Sequence, residues 1–453
     1  MKRVLIEGGH VLTMNAANDT FPNGCVLIEG DRILYVGPSE GVPYAHVDER
    51  IAVPSHAVLP GLVNGHTHLC MTFGRTLGTN VDLLSWLDLQ IPIIRALDED
   101  ALYAAEMLGC IENLKNGNTS LVENMFAPRT ALHDPSETVF CALRDSGIRG
   151  TLARAHECRN FAEDFVETMD QVSAELTHLA GRWHHSTDER LRLACGPLLP
   201  WAMTEEALRA TRAVADRLGI GIHMHVAESP DFNSHVATHF GRPVRQIELL
   251  HETGCLGPDV QATGVSDVSA EELKLLADTN TAVIFDPTTR LFWGTGFPSL
   301  QPFLESGIPC GLSTNGPAAN CGQDLFESMK YACATAKTAT NDPTTLSASR
   351  ALRMATIEGA RAIGLGDQTG SLEVGKRADV ITMDLAQPHF TPAHDLEAAL
   401  VFCGRGSDVK NVFVDGRCLV RDRQIQFLDE SAFLRQATSF AAQALERALA
   451  TQH

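Results

Sequence analysis

Three histidines have the spacing of a shared metal site. His66 and His68 are separated by one residue in PGLVNGHTHL, and His225 comes much later, in HMHVAES. Alternate residues of a strand point to the same face, so His66 and His68 can bind one ion. A third imidazole from across a barrel would complete a His₃ set, with Glu228 beside a metal-bound water. The chemistry that this pattern predicts is metal-assisted hydrolysis.

Other metal-binding residue types are better explained by packing. His223 precedes His225 by two residues and lies deeper in the predicted strand, where we expect it to support a ligand or fill the core. The 12 cysteines occur singly, without a Cys-x-x-Cys pair, which is typical of reduced core residues. We therefore expect the ligands to be the three histidines.

The elements that would hold these histidines form an α/β pattern. From residue 58 to about 365, short apolar runs alternate with segments of helical period, which favours βα units and a parallel sheet. We predict a (β/α)₈ TIM-type barrel, in which reacting groups stand at the carboxyl ends of the strands. The predicted strands are VLPGLVNGHTHL, NTSLVENM, IRGTLARAH, LRLACGPL, GIGIHMHVAE, VQATGVS, TAVIFDP and IPCGLSTNG.

Both ends of the chain have a different character. Residues 1–57 and 366–453 carry short strands, such as VLIEGGHVLTM and ADVITMDL, that predict one small β-sandwich beside the barrel. The end helix SAFLRQATSFAAQALERALA is amphipathic, and we expect it to pack on that small domain.

Composition limits the partners. The formal net charge of -20 argues against binding nucleic acid or an anionic membrane. No apolar run reaches the roughly 20 residues that span a bilayer, and Glu7 interrupts the first apolar stretch too early for a signal peptide. We expect a cytoplasmic protein whose partner is a small-molecule substrate.

The motifs PGLVNGHTHL, HVAES and SLEVGKRADVITMDL resemble the amidohydrolase superfamily, in its branch of aminohydrolases and chlorohydrolases acting on N-heterocycles. That branch includes cytosine, guanine and adenosyl-homocysteine deaminases and s-triazine hydrolases. MATIEGARAIGL and TPAHDLEAALVF look most like the triazine hydrolases, and the resemblance covers nearly the whole chain. By analogy with the family, a homo-oligomer is expected.

The resemblance also implies a mechanism. His66, His68 and His225 match the family's ligands for one Zn²⁺ or Fe²⁺ per chain, and Glu228 matches its proton-shuttling carboxylate. In that mechanism the metal lowers the pKa of a bound water, whose hydroxide attacks a ring carbon bearing an amine, halide or alkylthio group. Glu228 then protonates a ring nitrogen or the leaving group.

Two catalytic positions depart from the family pattern. Thr263 stands where the family usually has a histidine on strand six, and Asn315 where it has an aspartate on strand eight. An Asn cannot act as a base, and its neutral oxygen is a weaker ligand than a carboxylate. These departures remove two of the usual functions of the site.

Three explanations of the departures stay open. In the first, Asp286 or Asp267 replaces the missing carboxylate, and Asp286 is the candidate fourth ligand. In the second, the three histidines and Glu228 are sufficient for hydrolysis. In the third, the chain binds a ligand without hydrolysing it. A non-hydrolytic barrel enzyme, such as a decarboxylase, is a further alternative. Asp267 precedes a helix and Asp286 precedes Pro287, so each also has a structural explanation.

Several residues near predicted strand ends are candidates for substrate binding. An arginine among them would suit an anionic substrate group. The candidates are Trp86 after the first strand, Asn124 at the end of the second, His156 at the end of the third, and Arg290 and Trp293 after the seventh.

Overall fold

The chain forms two sheets. The computed structural model describes residues 1–43, 46–126, 134–159, 163–296 and 298–450. The strands, in chain order, are β1 (Arg3–Leu12), β2 (Thr20–Glu29), β3 (Arg32–Pro38), β4 (Glu49–Ala52), β5 (His56–Pro60), β6 (Leu62–Thr67), β7 (Asn118–Met125), β8 (Arg149–His156), β9 (Leu191–Pro197), β10 (Gly221–His225), β11 (Val260–Thr263), β12 (Ala282–Phe285), β13 (Cys310–Leu312), β14 (Val380–Asp384), β15 (Val409–Val414), β16 (Arg417–Arg421) and β17 (Gln424–Ile425).

The helices lie mainly between the strands of the central sheet. Many begin at a side-chain cap that the sequence supplies; for example, Ser269 accepts a hydrogen bond from the Glu272 amide at 3.1 Å. They are α1 (Leu83–Arg95), α2 (Glu99–Lys115), α3 (Pro135–Ser146), α4 (Met169–Trp183), α5 (Ser186–Glu189), α6 (Glu205–Leu218), α7 (Pro230–Phe240), α8 (Gln246–Glu252), α9 (Ala270–Asp278), α10 (Pro287–Trp293), α11 (Gln301–Ser306), α12 (Pro317–Asn320), α13 (Leu325–Thr340), α14 (Ala348–Met354), α15 (Ile357–Ala362), α16 (Leu396–Phe402) and α17 (Glu430–Ala450).

The central sheet confirms the predicted barrel. Strands β6 to β13 pair in chain order, each parallel to the next, and every one of the eight predicted apolar runs contains one of them. Side chains close the gap between the first strand and the last: Asn64 Nδ2 donates to Thr314 Oγ1 at 2.7 Å, and Thr314 N donates to Asn64 Oδ1 at 3.0 Å. A nearly closed parallel barrel brings all eight carboxyl ends to one mouth.

The terminal strands form a separate mixed sheet, as their common character predicts. This sheet has nine strands, and β14 from the late part of the chain pairs antiparallel with β5, which leads into the first barrel strand. Below the barrel, Arg149 Nε donates to Asp379 Oδ2 at 2.9 Å, and the same guanidinium binds Asp415. The small sheet is thereby tied to the barrel by a buried ion cluster.

The end helix does not pack where the sequence suggested. Helix α17 lies against α1 and α2 of the barrel rather than on the terminal sheet, so that prediction is wrong. Ala444 is buried in the cluster that contains Trp86, and Arg447 Nη1 donates to Asp98 Oδ2 at 2.9 Å. An amphipathic pattern shows that a helix has a buried face, but not which surface covers it. No helix among the described residues is long and apolar enough to cross a membrane.

Candidate metal centre and substrate cleft

The three predicted histidines meet at the barrel mouth. The candidate ligand nitrogens of His66, His68 and His225 all lie within 4.8 Å of one another. His68 Nε2 and His225 Nε2 are 3.3 Å apart, close to the roughly 3.4 Å that separates two nitrogens on a tetrahedral zinc ion. His66 Nε2 is buried without a hydrogen-bond partner among the described residues. This donor set fits a divalent metal ion.

Each of the three imidazoles is oriented through its other nitrogen. His68 Nδ1 lies 2.7 Å from the Asn124 carbonyl oxygen, and His225 Nδ1 lies 3.3 Å from that of Leu198. His66 Nδ1 lies 2.8 Å from His223 Nε2, so His223 has the supporting position expected from the sequence. Such partners fix the ring and its tautomer, leaving Nε2 to bind metal.

Burial keeps these imidazoles uncharged. It lowers the pKa of His68 to about 3 and that of His225 to about 4. Burial, followed by the neighbouring histidines, lowers the pKa of His66 well below its usual value. Because neutral imidazole is the form that binds a metal, the site needs no deprotonation near neutral pH.

A charged network borders the histidines. Arg290 Nη2 donates to Glu228 Oε1 at 2.9 Å, and its Nε donates to Asp286 Oδ1 at 3.1 Å. Asn315 Nδ2 donates to Asp286 Oδ2 at 3.0 Å, while its Oδ1 accepts from Gly316 N at 2.7 Å. Burial raises the pKa of Glu228, and Arg290 opposes that shift. The Asp286 carboxylate, directly after strand β12, therefore lies beside the neutral Asn315.

An open cleft of about 620 Å³ lies over the site. Apart from the indole N–H groups of its tryptophans, its polar side chains among the described residues are those of His68, His225, Glu228 and Asn315. The rest of the lining is aliphatic or aromatic: Met71, Leu83, Leu84, Trp86, Leu87, Phe126, Leu198, Leu199, Trp201, Phe232 and Trp293. A cleft with this lining suits an apolar ligand oriented by a few polar groups.

The predicted substrate residues occupy different places. Trp86 and Trp293 line the cleft, with ring centroids 5.2 Å apart. Asn124 contributes its carbonyl oxygen to His68, and its side chain donates to Ala153 O at 3.0 Å. His156 Nε2 instead lies 3.0 Å from Thr211 Oγ1 on helix α6. The structure thus brings the tryptophans to the cleft, but not His156.

The two aspartates considered as replacements for a family carboxylate lie in different places. Asp286 lies within the charged network, whereas Asp267 accepts from Asn233 Nδ2 at 2.7 Å and from Arg245 Nη2 at 3.1 Å. The hydroxyl of Thr263 is buried and has no hydrogen-bond partner among the described residues. Asp286 is therefore the aspartate whose charge acts on His68 and His225, although its oxygens do not belong to the three-histidine cluster.

Sequence reasoning missed how Arg290 is used. Its side chain is only 1 % exposed and is bound by two carboxylates, so it does not stand free for an anionic substrate. The spacing of Asp286 and Arg290 at i and i+4 on the start of a helix was the signal for this contact.

Together, a parallel barrel and a His₃ site at its mouth define a metal-dependent hydrolase of the (β/α)₈ class. Residues 57–419 match the model of the amidohydrolase family, and the chain belongs to that family. It is a member of the branch that acts on nitrogen heterocycles.

Relatives extend over the whole chain. A 5-methylthioadenosine/S-adenosylhomocysteine deaminase of Symbiobacterium thermophilum is 33% identical over 93% of this chain and 94% of its own length. A 5'-deoxyadenosine deaminase of Methanosarcina acetivorans is 31% identical over 99% of this chain and 100% of its own.

Solved structures share the fold and contain zinc. An adenosine deaminase from Xanthomonas campestris with bound zinc has a TM-score of 0.91 and 25% identity, and the match covers 98% of each chain. An atrazine chlorohydrolase from Arthrobacter aurescens TC1 complexed with zinc has the same TM-score and identity, covering 97% of this chain and 100% of that one.

Proposed function

We propose that this chain is a mononuclear zinc hydrolase that displaces a leaving group from an uncharged, apolar-substituted nitrogen heteroaromatic ring. The observation that carries the proposal is the apolar cleft directly over His68, His225 and Glu228. Zinc agrees with the three-imidazole donor set and with the zinc-containing solved structures. When bound, the ion supplies an activated water.

The chain's own residues have separate roles in this proposal. His66, His68 and His225 hold the ion, and Asp286 supplies the carboxylate that Asn315 lacks. Glu228 moves protons, because its Oε1 is held by Arg290 while its Oε2 accepts no hydrogen bond from the described residues. The cleft walls, including Trp86 and Trp293, exclude water and hold the ring against the site.

The lining favours a ring without a sugar. The deaminase relatives act, by name, on nucleosides, whose sugar hydroxyls need hydrogen-bond partners. Among the described residues of this cleft, the polar groups outside the histidines and Glu228 are the Asn315 amide, already bound to Asp286 and Gly316, and three tryptophan indole N–H groups. An indole can donate to a hydroxyl oxygen but cannot accept the hydroxyl proton. An unpaired buried hydroxyl costs about 1–3 kcal/mol, so a nucleoside would bind poorly.

Metal content and turnover test the proposal. Elemental mass spectrometry should find about one zinc per chain in the wild type and far less in His66→Ala, since a ligand is lost. Chloro-, methylthio- and amino-substituted s-triazines are then compared with 5'-methylthioadenosine by chloride, thiol or ammonia release. We expect kcat/KM to favour a triazine by about 100-fold, the equivalent of one or two unpaired hydroxyls. A nucleoside turned over equally well would refute the substrate class.

A further inference from the structure

One guanidinium connects the two acidic groups of the site. Besides its bonds to the Glu228 and Asp286 carboxylates, Arg290 donates from Nη1 to the Glu228 carbonyl oxygen at 2.9 Å. One buried side chain therefore joins the segment that follows strand β10 to the helix that follows strand β12. Arginine presents its donors in a rigid fork and stays charged at any accessible pH, so this geometry is fixed.

The end of strand β11 leaves room for that guanidinium. Gly264 has a φ of +78°, and a Cβ at this position would lie 2.5 Å from Arg290 Nη2 and 2.8 Å from Glu228 Cγ. Just before it, Thr263 carries a short neutral side chain. The positive charge beside Glu228 thus comes from helix α10, against a strand end that offers no charge of its own.

We propose that Arg290 is the positioning residue of this site: it fixes Glu228 by one oxygen, leaving the other to exchange a proton, and turns Asp286 toward the metal-binding histidines. The inference rests on the proposed hydrolase function. It assigns to Arg290 an effect on catalysis through two other side chains, rather than a contact with the substrate.

The matched control is a second arginine of the same kind. Arg154 is also buried and is bound by two carboxylates, those of Glu167 and Glu175, but these lie outside the metal site. Arg290→Gln and Arg154→Gln therefore remove the same buried charge from equivalent surroundings. Arg290→Lys retains the charge without the fork, and the melting temperature of each variant reports whether it folds.

Kinetics on the best triazine of the panel give the first readout. Arg290→Gln should lower kcat by about 100-fold, the size expected for loss of a preorganised interaction at a reacting centre, with KM nearly unchanged. The kcat of Arg290→Lys should lie between that of Arg290→Gln and that of the wild type. Millimolar guanidinium should partly restore the kcat of Arg290→Gln. Arg154→Gln should leave kcat within about two-fold. A raised KM at constant kcat would instead mean that Arg290 binds substrate, and would overturn the proposal.

The visible spectrum of the cobalt-substituted protein is a readout that needs no substrate. Because cobalt absorption reports ligand number and geometry, Arg290→Gln should change the spectrum if Arg290 orients Asp286. Arg154→Gln should not. Identical spectra for Arg290→Gln and the wild type would overturn the proposal even if the wild type hydrolyses a triazine. If the wild type turns over no probe, the proposed function fails, whereas the spectra still decide the role of Arg290.

Discussion

The amide of Asn315 has its two ends fixed by different neighbours. Gly316 N donates to Oδ1, and Nδ2 donates to Asp286, so the nitrogen end faces the aspartate. The residue adopts a φ of 57°, which asparagine and aspartate tolerate better than most side chains. Asn315 therefore acts in the proposed site as a donor that holds Asp286, and not as a replacement carboxylate.

An exchange of these two residues tests which one supplies the carboxylate. Asp286→Asn should lower kcat by about 100-fold or more, since the charge is lost next to the metal site. Asn315→Asp should also lower activity. It would place a second carboxylate against Asp286, where the Asn315 amide now donates a hydrogen bond of 3.0 Å. Steady-state kinetics and zinc content are measured for both.

The double variant Asp286→Asn/Asn315→Asp is the control for this exchange. It restores one carboxylate and one amide, so it should regain part of the activity that each single change removes. A single Asn315→Asp variant that is more active than the wild type would show instead that the site lacks a carboxylate.

At the level of residues, the clustering of the three histidines was predictable but their connections were not. The HTH spacing on a strand and the later His225 sufficed to predict that these side chains meet, because strand alternation fixes which side chains share a face. The bond between Arg290 and Glu228 joins residues 62 positions apart. Such a contact depends on how helix α10 approaches the segment after strand β10 at the barrel mouth. No local sequence pattern encodes that approach.

Among the elements, helix α1 shapes the cleft. It contributes Leu83, Leu84, Trp86 and Leu87 to the lining, and its first turn is capped by Asp82, whose Oδ1 accepts from Ser85 N at 3.0 Å. Asp82→Ala should lower the stability of this helix, because the cap is lost. Because this turn lines the cleft, KM should rise by roughly five-fold with little change in kcat.

The cap of helix α16 provides the comparison. Asp395 accepts from Ala398 N at 3.0 Å, in a helix that is absent from the cleft lining. Asp395→Ala should lose similar stability in chemical denaturation without any change in KM. Equal KM values for the two variants would show that the first turn of α1 does not contact the substrate.

Helix α2 and strand β7 share a buried pair of acids. Glu106 and Glu123 are fully buried, with carboxylate oxygens within 4.8 Å of each other. Glu123 accepts from Thr67 Oγ1 at 2.6 Å and from Leu69 N at 2.7 Å, on either side of His68. Burial raises the pKa of Glu123 to about 8, and burial with the charge of Glu123 raises that of Glu106. The pair therefore retains protons near neutral pH.

This pair should make stability fall as pH rises. In the unfolded chain both acids ionise near pH 4.3, so between there and about 8 the native state binds more protons. Glu106→Gln removes one of these acids at constant shape and should stabilise the protein relative to the wild type at pH 8 more than at pH 5. Urea unfolding at several pH values measures the slope.

The same substitution at Glu112 on helix α2 is the control for Glu106→Gln. Glu112 is paired with Arg75 and is partly exposed, so Glu112→Gln should leave the pH slope unchanged. If Glu106→Gln and the wild type show equal slopes between pH 5 and 8, the buried pair does not hold the extra proton.

The eight barrel strands were predictable because each lies in a short apolar run between turn residues. Five of them are buried at every position, and β8, β9 and β10 have one or two half-buried residues. The position of helix α17 was not predictable. Its buried residues, Ala437, Ala444 and Ala448, form a narrow stripe of small side chains that fits any flat helical surface. Which surface it meets depends on where the preceding sheet ends.

In the whole molecule, buried ion pairs between side chains join the terminal sheet to the barrel, in addition to the covalent chain. Arg149 stands at the start of β8, at the end of the barrel opposite the metal site, and binds Asp379 and Asp415 from the late part of the chain. The similar strands at the two ends predicted their pairing. The ion cluster that joins them to the barrel was not predictable, since Arg149 is more than 200 residues from each aspartate.

Loss of this arginine should affect stability but not chemistry. Arg149→Met leaves the buried Asp379 without its arginine and leaves Asp415 with the longer contact to Arg377 at 3.6 Å, which costs about 3–5 kcal/mol of unfolding free energy. Differential scanning calorimetry should show a lower transition temperature, while zinc content and kcat at 25 °C stay at wild-type values because the site lies at the other end of the strands. The triple variant Arg149→Met/Asp379→Asn/Asp415→Asn should recover much of the loss, since no charge is then left unpaired. A triple variant as unstable as Arg149→Met would mean that packing of the arginine chain, and not charge balance, joins the sheet to the barrel.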